Sequence, residues 1–304
     1  MKHAFLIATH NNEEITKRLL SLYDTEDIDF YIHVDKKAKS YDVSLFDNLC
    51  KNSKVFFISR TKIYWGSFSQ IQLELLLLNA AIVNHYDYYH LISGCDVPLM
   101  TKSEFLNFFI EHQGQEFVEY APEMVAEENN IQSRIQYYHF FMNSIRNPNP
   151  LIRKPQTFLR EVSLKIQKAL NINRAGKIKA KYGSNWFDIT HDFASYVLQQ
   201  QDWIKKHFHH TCCADEVFLQ TILYDSLFYE KNYYNIEFKK RKIKWGRHVD
   251  WNRGDPYVFK SRDFKEICNI HTSFFIRKFD FKSDPDIVMK LFHYLEEREA
   301  ELNV

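Results

Sequence analysis

Glycine is scarce in this chain. Only 7 of its 304 residues are glycine, where about 7% is typical of globular proteins. No GxGxxG and no GxxxxGK[ST] occurs, so a Rossmann dinucleotide fingerprint and a P-loop are both excluded. Cysteine is sparse too: Cys50, Cys95, Cys212, Cys213 and Cys268 form an odd set without CxxC spacing. That pattern argues against a disulfide framework or a zinc site and fits a reducing cytosol. No apolar run reaches the ~18 residues that a membrane-spanning helix requires. The run LELLLLNAAIV is shorter and is interrupted by Glu74 and Asn79. The apolar stretch in MKHAFLIATHNNEE is likewise too short for a signal peptide. The expected location is therefore cytoplasmic, with contact at most at the inner face of a membrane. An excess of one charge is also missing. The net charge is +1, which names no partner and gives no general reason to expect nucleic acid.

What is plentiful is aromatic residues: 26 Phe and 18 Tyr bring the aromatic content to 16%, suited to a packed core and to stacking on sugars. The length is ample for one large α/β domain. Short apolar runs alternate with helical patterns in the first 120 residues. HAFLIAT, DFYIHVD, VFFIS, YYHLI and QEFVEY read as strands. NNEEITKRLLSLY, KKAKSYDVSLFDNLC (loop and helix), SQIQLELLLLNAAIVNH and SEFLNFFIEH lie between them, with Asn11 or Asn12 as the first helix cap. This alternation predicts a mostly parallel sheet with helices on both faces. In such sheets ligands bind at the C-terminal ends of the strands. That rule gathers His10, Asp35, Ser59, Arg60, Tyr64 and the Ser93–Asp96 turn along one rim. Asp35 is either a strand-end residue beside Lys36 and Lys37 or a contact for a base or ribose. Asp96, two residues before Pro98, stabilises a turn or serves the site.

From Ala121 to about Lys181 the pattern loosens. Residues 127–156, with Pro148, Pro150 and Pro155, read as a long ordered loop over the site, followed by a basic stretch. Ten Lys or Arg face one acid, Glu161, between Arg146 and Lys181, and Phe158, Val162, Ile166 and Leu170 recur at helical spacing. This is either a solvated helix face or a contact for anionic lipid headgroups or an anionic glycan. Tyr182–Tyr224 then reads as a turn, strand, helix, loop and second helix, with Asp215 and Glu216 where that last helix begins. Acids in a first turn complement the helix dipole; a carboxylate presented there can also act as a general base. NIEFKKRKIKW reads as a strand, GRHVDWNRGDPYVFKSRDFKEIC as a loop and short helix, and DPDIVMKLFHYLEEREAEL as a closing amphipathic helix. Arg277 and Lys278, held among Phe274, Phe275 and Phe279, are suited to gripping a phosphate.

Seven stretches in order, FYIHVDKKA, SRTKIYWGSFSQIQLEL, LISGCDVPL, YGSNWFDITHDFASYVL, ADEVFLQTIL, RKIKW and SFFIRKFD, resemble the core-2/I-branching β-1,6-N-acetylglucosaminyltransferase family. That family also contains peptide O-xylosyltransferases. The resemblance runs from Ala4 to about Asp280 and points to a bacterial-type member. It implies a GT-A-like nucleotide-sugar-binding fold in a single domain over 1–304, with residues 1–120 as the nucleotide-sugar half and 121–304 as the acceptor and catalytic half. It implies inverting transfer of a sugar, GlcNAc or xylose, from a UDP-sugar to a hydroxyl of a glycan or lipid-linked acceptor, in cell-surface polysaccharide synthesis. Residue by residue, Glu216 matches the general base, with Asp215 as support. Lys278 matches a lysine on the donor diphosphate, and Asp35 and Tyr64 match donor-site positions. Trp245 matches an acceptor-side aromatic. A diphosphate arginine is matched loosely by Arg253, with Arg247 second.

No cofactor and no metal are expected. Most GT-A enzymes place an Asp-x-Asp motif after the fourth strand, where SGCDVPL offers only Asp96. Asp27/Asp29 and Asp284/Asp286 fall in a turn and at a helix start and read as structural. With no metal, fixed cations must meet the charge developing on the leaving group. Two rivals remain: a non-catalytic nucleotide-sugar or glycan-binding protein on the same fold, and a nucleic-acid binder using the basic stretch. The local confinement of the basic charge argues against the second.

Overall fold

The computed structural model describes residues 1–234 and 246–302. Strands β1 (His3–Thr9), β2 (Ile28–Val34), β3 (Val55–Ile58) and β4 (Tyr88–Ser93) pair in parallel as β3-β2-β1-β4. The apolar runs of β1, β2 and β4 are buried on both faces, as parallel strands covered by helices require, while β3, at the sheet edge, is only half-buried. Helices α1 (Glu13–Leu22), α2 (Ser69–Ile82) and α3 (Lys102–Glu111) form the expected crossovers. One core packs Phe5, Phe30, Tyr88 and Phe105 with Val288 and Leu291 of the closing helix. The other packs Leu6, Leu77, Tyr89 and Phe193 beneath α2. The result is a mixed α/β fold whose mainly parallel sheet is flanked by helices, as the alternation predicts.

Several elements depart from the expectation. KKAKSYDVSLFDNLC forms only one 3-10 turn, Val43–Phe46, capped by Asp42. The strand β6 (Phe117–Val118) does not neighbour β4. Strand β7 (Phe187–Thr190) inserts between them and is antiparallel to both. β7 comes from the Tyr182–Tyr224 stretch, so both expected halves of the chain contribute to one sheet. The expected loop over residues 127–156 is about half helical: the end of α4 (Glu123–Glu128), α5 (Ile131–Gln136) and the first turns of α6 (Pro150–Ala169) fall within it, with loop from Tyr137 to Asn149 broken by one 3-10 turn. Its prolines do not break α6. Asn149 caps it and Pro150 stands at the first position, where no N–H is needed; Pro155 forfeits one bond in the second turn.

The helix expected after β7 is two helices, α7 (His191–Gln199) and α8 (Gln201–Phe208), meeting at Gln200. Helix α9 (Phe218–Tyr224) follows. A second sheet, missed in the sequence, pairs β5 (Val97–Pro98) with β9 (Phe275–Arg277) and β9 with β8 (Arg247–Val249). It lies in the chain between β4 and the helices α10 (Phe264–Cys268) and α11 (Pro285–Leu302). Asn12 fixes it in place. Rather than capping α1, its side chain donates to the Phe279 carbonyl at 3.3 Å and accepts from the Phe281 N–H at 3.0 Å. The chain after β9 is thereby tied to the end of β1.

Candidate active site

The rim begins where β1 and β2 end. The Asp35 N–H donates to the Thr9 carbonyl at 2.9 Å. The Asp35 carboxylate accepts from the Lys37 N–H at 2.9 Å and lies 3.4 Å from the Lys37 ammonium. That ammonium stands 4.7 Å over the Tyr64 ring, so Lys37 joins the two expected donor-site residues. His10 reports a further neighbour. Burial is the main cause of its lowered pKa, opposed by Asp35 and reinforced by Lys278 and Lys37. The charges of Asp35, Lys37 and Lys278 therefore converge around one imidazole. The Lys278 ammonium itself has no carboxylate partner among the described residues.

Asp96 turns out to hold a turn and to neutralise an arginine. Its carboxylate accepts from the Ser93 N–H at 2.8 Å and the Ser93 hydroxyl at 2.7 Å, and it is 1% exposed. The Arg277 Nε lies 3.3 Å from it, and the Arg277 guanidinium stacks 4.5 Å from the Trp186 ring. Burial pulls down on the Arg277 pKa, but Asp96 and Cys95 raise it overall.

Asp215 and Glu216 sit in a 3-10 turn, Ala214–Glu216, one residue before α9 rather than in its first turn. Neither caps a helix. The two carboxylates diverge as neighbouring positions must. Glu216 is about a third exposed, and one of its oxygens accepts from Arg134 at 2.9 Å. Its other oxygen has no partner among the described residues. Arg134, on α5, lies 5.4 Å over the Tyr182 ring. Sequence reasoning missed Arg134 because a six-residue helix shows almost no periodicity.

Asp215 is buried and accepts from the Gln70 amide at 2.6 Å, while its other oxygen has no partner. Burial, then the charge of Glu216, pushes its pKa up to about 7. Buried Glu74, one turn along α2 from Gln70, is raised as well, by burial and then by Asp215. The folded protein thus binds a proton at Asp215 that the unfolded chain releases above its ordinary value of 3.8. Stability from this group is full below about pH 4 and is lost as pH rises to about 7, with a slope of about 1.4 kcal/mol per pH unit at most. Asp215→Asn should flatten melting temperature against pH across that window. Parallel profiles for the wild type and the variant would contradict it.

Two connections tie Glu216 to the rim. The Gly66 carbonyl accepts from the Cys213 N–H at 2.9 Å, two residues after Tyr64 and just before the Glu216 turn. Gly66 has φ +70° and a Cβ there would meet the Cys213 sulfur at 3.2 Å, so glycine is required. The second runs through residues 183–186. The Gly183 N–H donates to the Glu216 carbonyl at 3.0 Å, while Trp186 holds Arg277. A Cβ on Gly183 would lie 1.8 Å from the Glu119 carbonyl oxygen.

Other expected contributors are engaged elsewhere. Each nitrogen of Arg253 faces a carboxylate: Asp250, Asp263 at 3.2 Å and Glu266 at 2.7 Å. A diphosphate would have to displace one of them. Arg247 is buried in a two-pronged ion pair with Asp188, at 3.0 and 2.9 Å, and also donates to the Leu91 carbonyl. That correction follows from β8 carrying Arg247 inward, where Asp188 already accepts from His90 at 2.9 Å. Arg277 lies 3.3 Å from Asp96, and the charge of Lys278 acts on the same His10 imidazole as those of Asp35 and Lys37. Asp29 accepts from the Lys54 N–H and the Tyr86 hydroxyl, and Asp284 caps α11 and binds Ser261. Both triplets thus have structural work. Trp245 lies outside the described residues.

Comparison with known proteins matches a family model, the Core-2/I-Branching enzyme, to residues 3–277. Xylosyltransferase 2 of Rattus norvegicus is 22% identical over 308 residues, covering 94% of this chain and 32% of that protein. Xylosyltransferase 2 of Homo sapiens is 22% identical over 307 residues with the same coverage. This chain therefore spans about a third of the length of these curated relatives. The structure of mouse xyloside xylosyltransferase 1, apo form, aligns with a TM-score of 0.37 at 12% identity, over 90% of this chain and 96% of that one. With the family model spanning nearly its whole length, the chain belongs to the Core-2/I-Branching enzyme family of glycosyltransferases.

Proposed function

We propose that this protein is an inverting glycosyltransferase with a GT-A-like fold, moving GlcNAc or xylose from a UDP-sugar to a hydroxyl of a glycan or lipid-linked acceptor. The observation that carries the proposal is Glu216: one oxygen is fixed by Arg134, and the other, with no partner among the described residues, can take a proton. The acceptor O–H gives its proton to that oxygen as the acceptor oxygen bonds to the anomeric carbon. The bond from that carbon to the UDP phosphate oxygen breaks, and UDP leaves with the electron pair. One base opposite one leaving group inverts the centre.

The charge appearing on UDP is met by Lys278, with Arg277 beside it, as preorganised cations. Tyr64 and Asp35 bind the nucleoside, and Trp245 is assigned to the acceptor. A cell-surface polysaccharide or glycolipid precursor suits such an acceptor, and a cytoplasmic location suits the free thiols.

Transfer without a metal is part of the proposal. Its support is the engagement of Asp96, the acid that follows β4, with Ser93 and Arg277. Activity should persist in EDTA, and Mn²⁺ should change it little. Loss on chelation, restored by Mn²⁺, would assign the leaving-group chemistry to a metal site instead.

A further inference from the structure

We propose that α6 is a membrane-surface helix that lays this protein on an anionic lipid headgroup layer. A surface helix of a globular protein normally turns its apolar stripe inward. Helix α6 does the reverse. At about 100° per residue, Leu151, Ile152, Phe158, Leu159, Ile166 and Leu170 share one broad face. They are 82%, 42%, 65%, 50%, 53% and 67% exposed. The one buried residue of α6 is polar: Gln167 accepts from the Tyr138 N–H at 2.7 Å and donates to the Tyr138 carbonyl at 2.9 Å. The helix is thus held to the body by its polar side, with its apolar side turned to solvent.

Charge selects the occupant. Exposed Lys154 and Lys165 project from α6 on one flank of the apolar face, with Lys168 beyond them. Between Arg146 and Lys181 ten basic residues face one acid, in a chain whose net charge is only +1. A second copy of this chain would bring like charges together across the same face. Anionic headgroups would instead meet the lysines while the apolar residues enter the headgroup boundary. The chain leading into α6 adds apolar surface, with Phe141 45% exposed. Nearby, Arg146 lies 3.9 Å over the ring of Trp65, itself 46% exposed.

Docking of α6 does not depend on the catalytic role of Glu216. Only its consequence rests on that role: α5, which carries Arg134 against Glu216, precedes α6 in the same excursion, so docking would bring the base towards a lipid-linked acceptor.

The test is co-sedimentation of the full chain with vesicles of phosphatidylcholine alone or with one third phosphatidylglycerol, at low and high salt. The wild type should bind the anionic vesicles and release at high salt. Lys154→Gln/Lys165→Gln/Lys168→Gln should weaken partitioning on the order of a hundredfold, at roughly fivefold per charge. Leu151→Ser/Phe158→Ser/Ile166→Ser should abolish binding with only a small change in melting temperature, because these residues are already more than half exposed. In Phe158→Trp, indole emission should shift to the blue on anionic vesicles and be quenched by brominated acyl chains. Absence of wild-type binding to anionic vesicles would overturn the proposal, as would unchanged binding of the serine variant. Self-association without vesicle binding, lost in the serine variant, would overturn it too by assigning the face to a second copy.

Discussion

Glu216→Gln should lower sugar transfer by about 10²–10⁴ while leaving UDP-sugar affinity nearly unchanged. A sugar hydroxyl is a weak nucleophile at neutral pH, so its proton has to leave as the new bond forms. Glutamine keeps the shape of the side chain and an oxygen for Arg134 to bind. The 3-10 turn, the Gly183 contact and the link to Gly66 should therefore survive, and the loss would report basicity alone. The measurement is initial rate together with donor affinity from calorimetry. A rate close to wild type would remove Glu216 from the chemistry. Asp35 would be the next base to test, because Asp96 is buried against Ser93 and Arg277.

Lys278→Ala should behave differently. The diphosphate is charged before, during and after transfer, so loss of this ammonium should weaken UDP binding as well as turnover. Removing one preorganised electrostatic partner costs on the order of 10²–10³ in rate. Lys278 has no carboxylate partner among the described residues, so alanine breaks no ion pair and should leave the melting temperature nearly unchanged. Arg253→Ala is the useful contrast. It would strip a partner from Asp250, Asp263 and Glu266, so its main effect should be on stability. Normal UDP affinity in Lys278→Ala, with weakened affinity in Arg253→Ala, would move the diphosphate to Arg253.

The parallel strands and their helices could be read from the sequence because each is local. HAFLIAT is a continuous apolar run and ITKRLLSL repeats every three or four residues, so neither depends on distant partners. The insertion of β7 between β4 and β6 could not be read, since pairing Tyr88 with Thr190 joins residues about a hundred apart. The same is true of Arg247. Nothing near it in sequence announces that Asp188 and the Leu91 carbonyl will enclose it. Helix α6 was half legible. The Phe158–Leu170 spacing marked the helix, but the prolines obscured its start, and periodicity alone does not say which face turns outward. The Glu216 site was legible as a pair of adjacent acids. Its partner Arg134 was not, because a contact across 82 residues leaves no mark on a six-residue helix.

UDP release tests most directly whether this chain turns over a UDP-sugar. UDP-GlcNAc, UDP-xylose, UDP-glucose and UDP-galactose would each be incubated with the wild-type chain, with water or added glycan hydroxyls as acceptor. The predicted result is UDP release from GlcNAc or xylose donor above the buffer rate, and loss of that release in Glu216→Gln. Tight binding of a UDP-sugar with no UDP released from any of the four, under any acceptor, would contradict it and leave a nucleotide-sugar-binding protein on this fold.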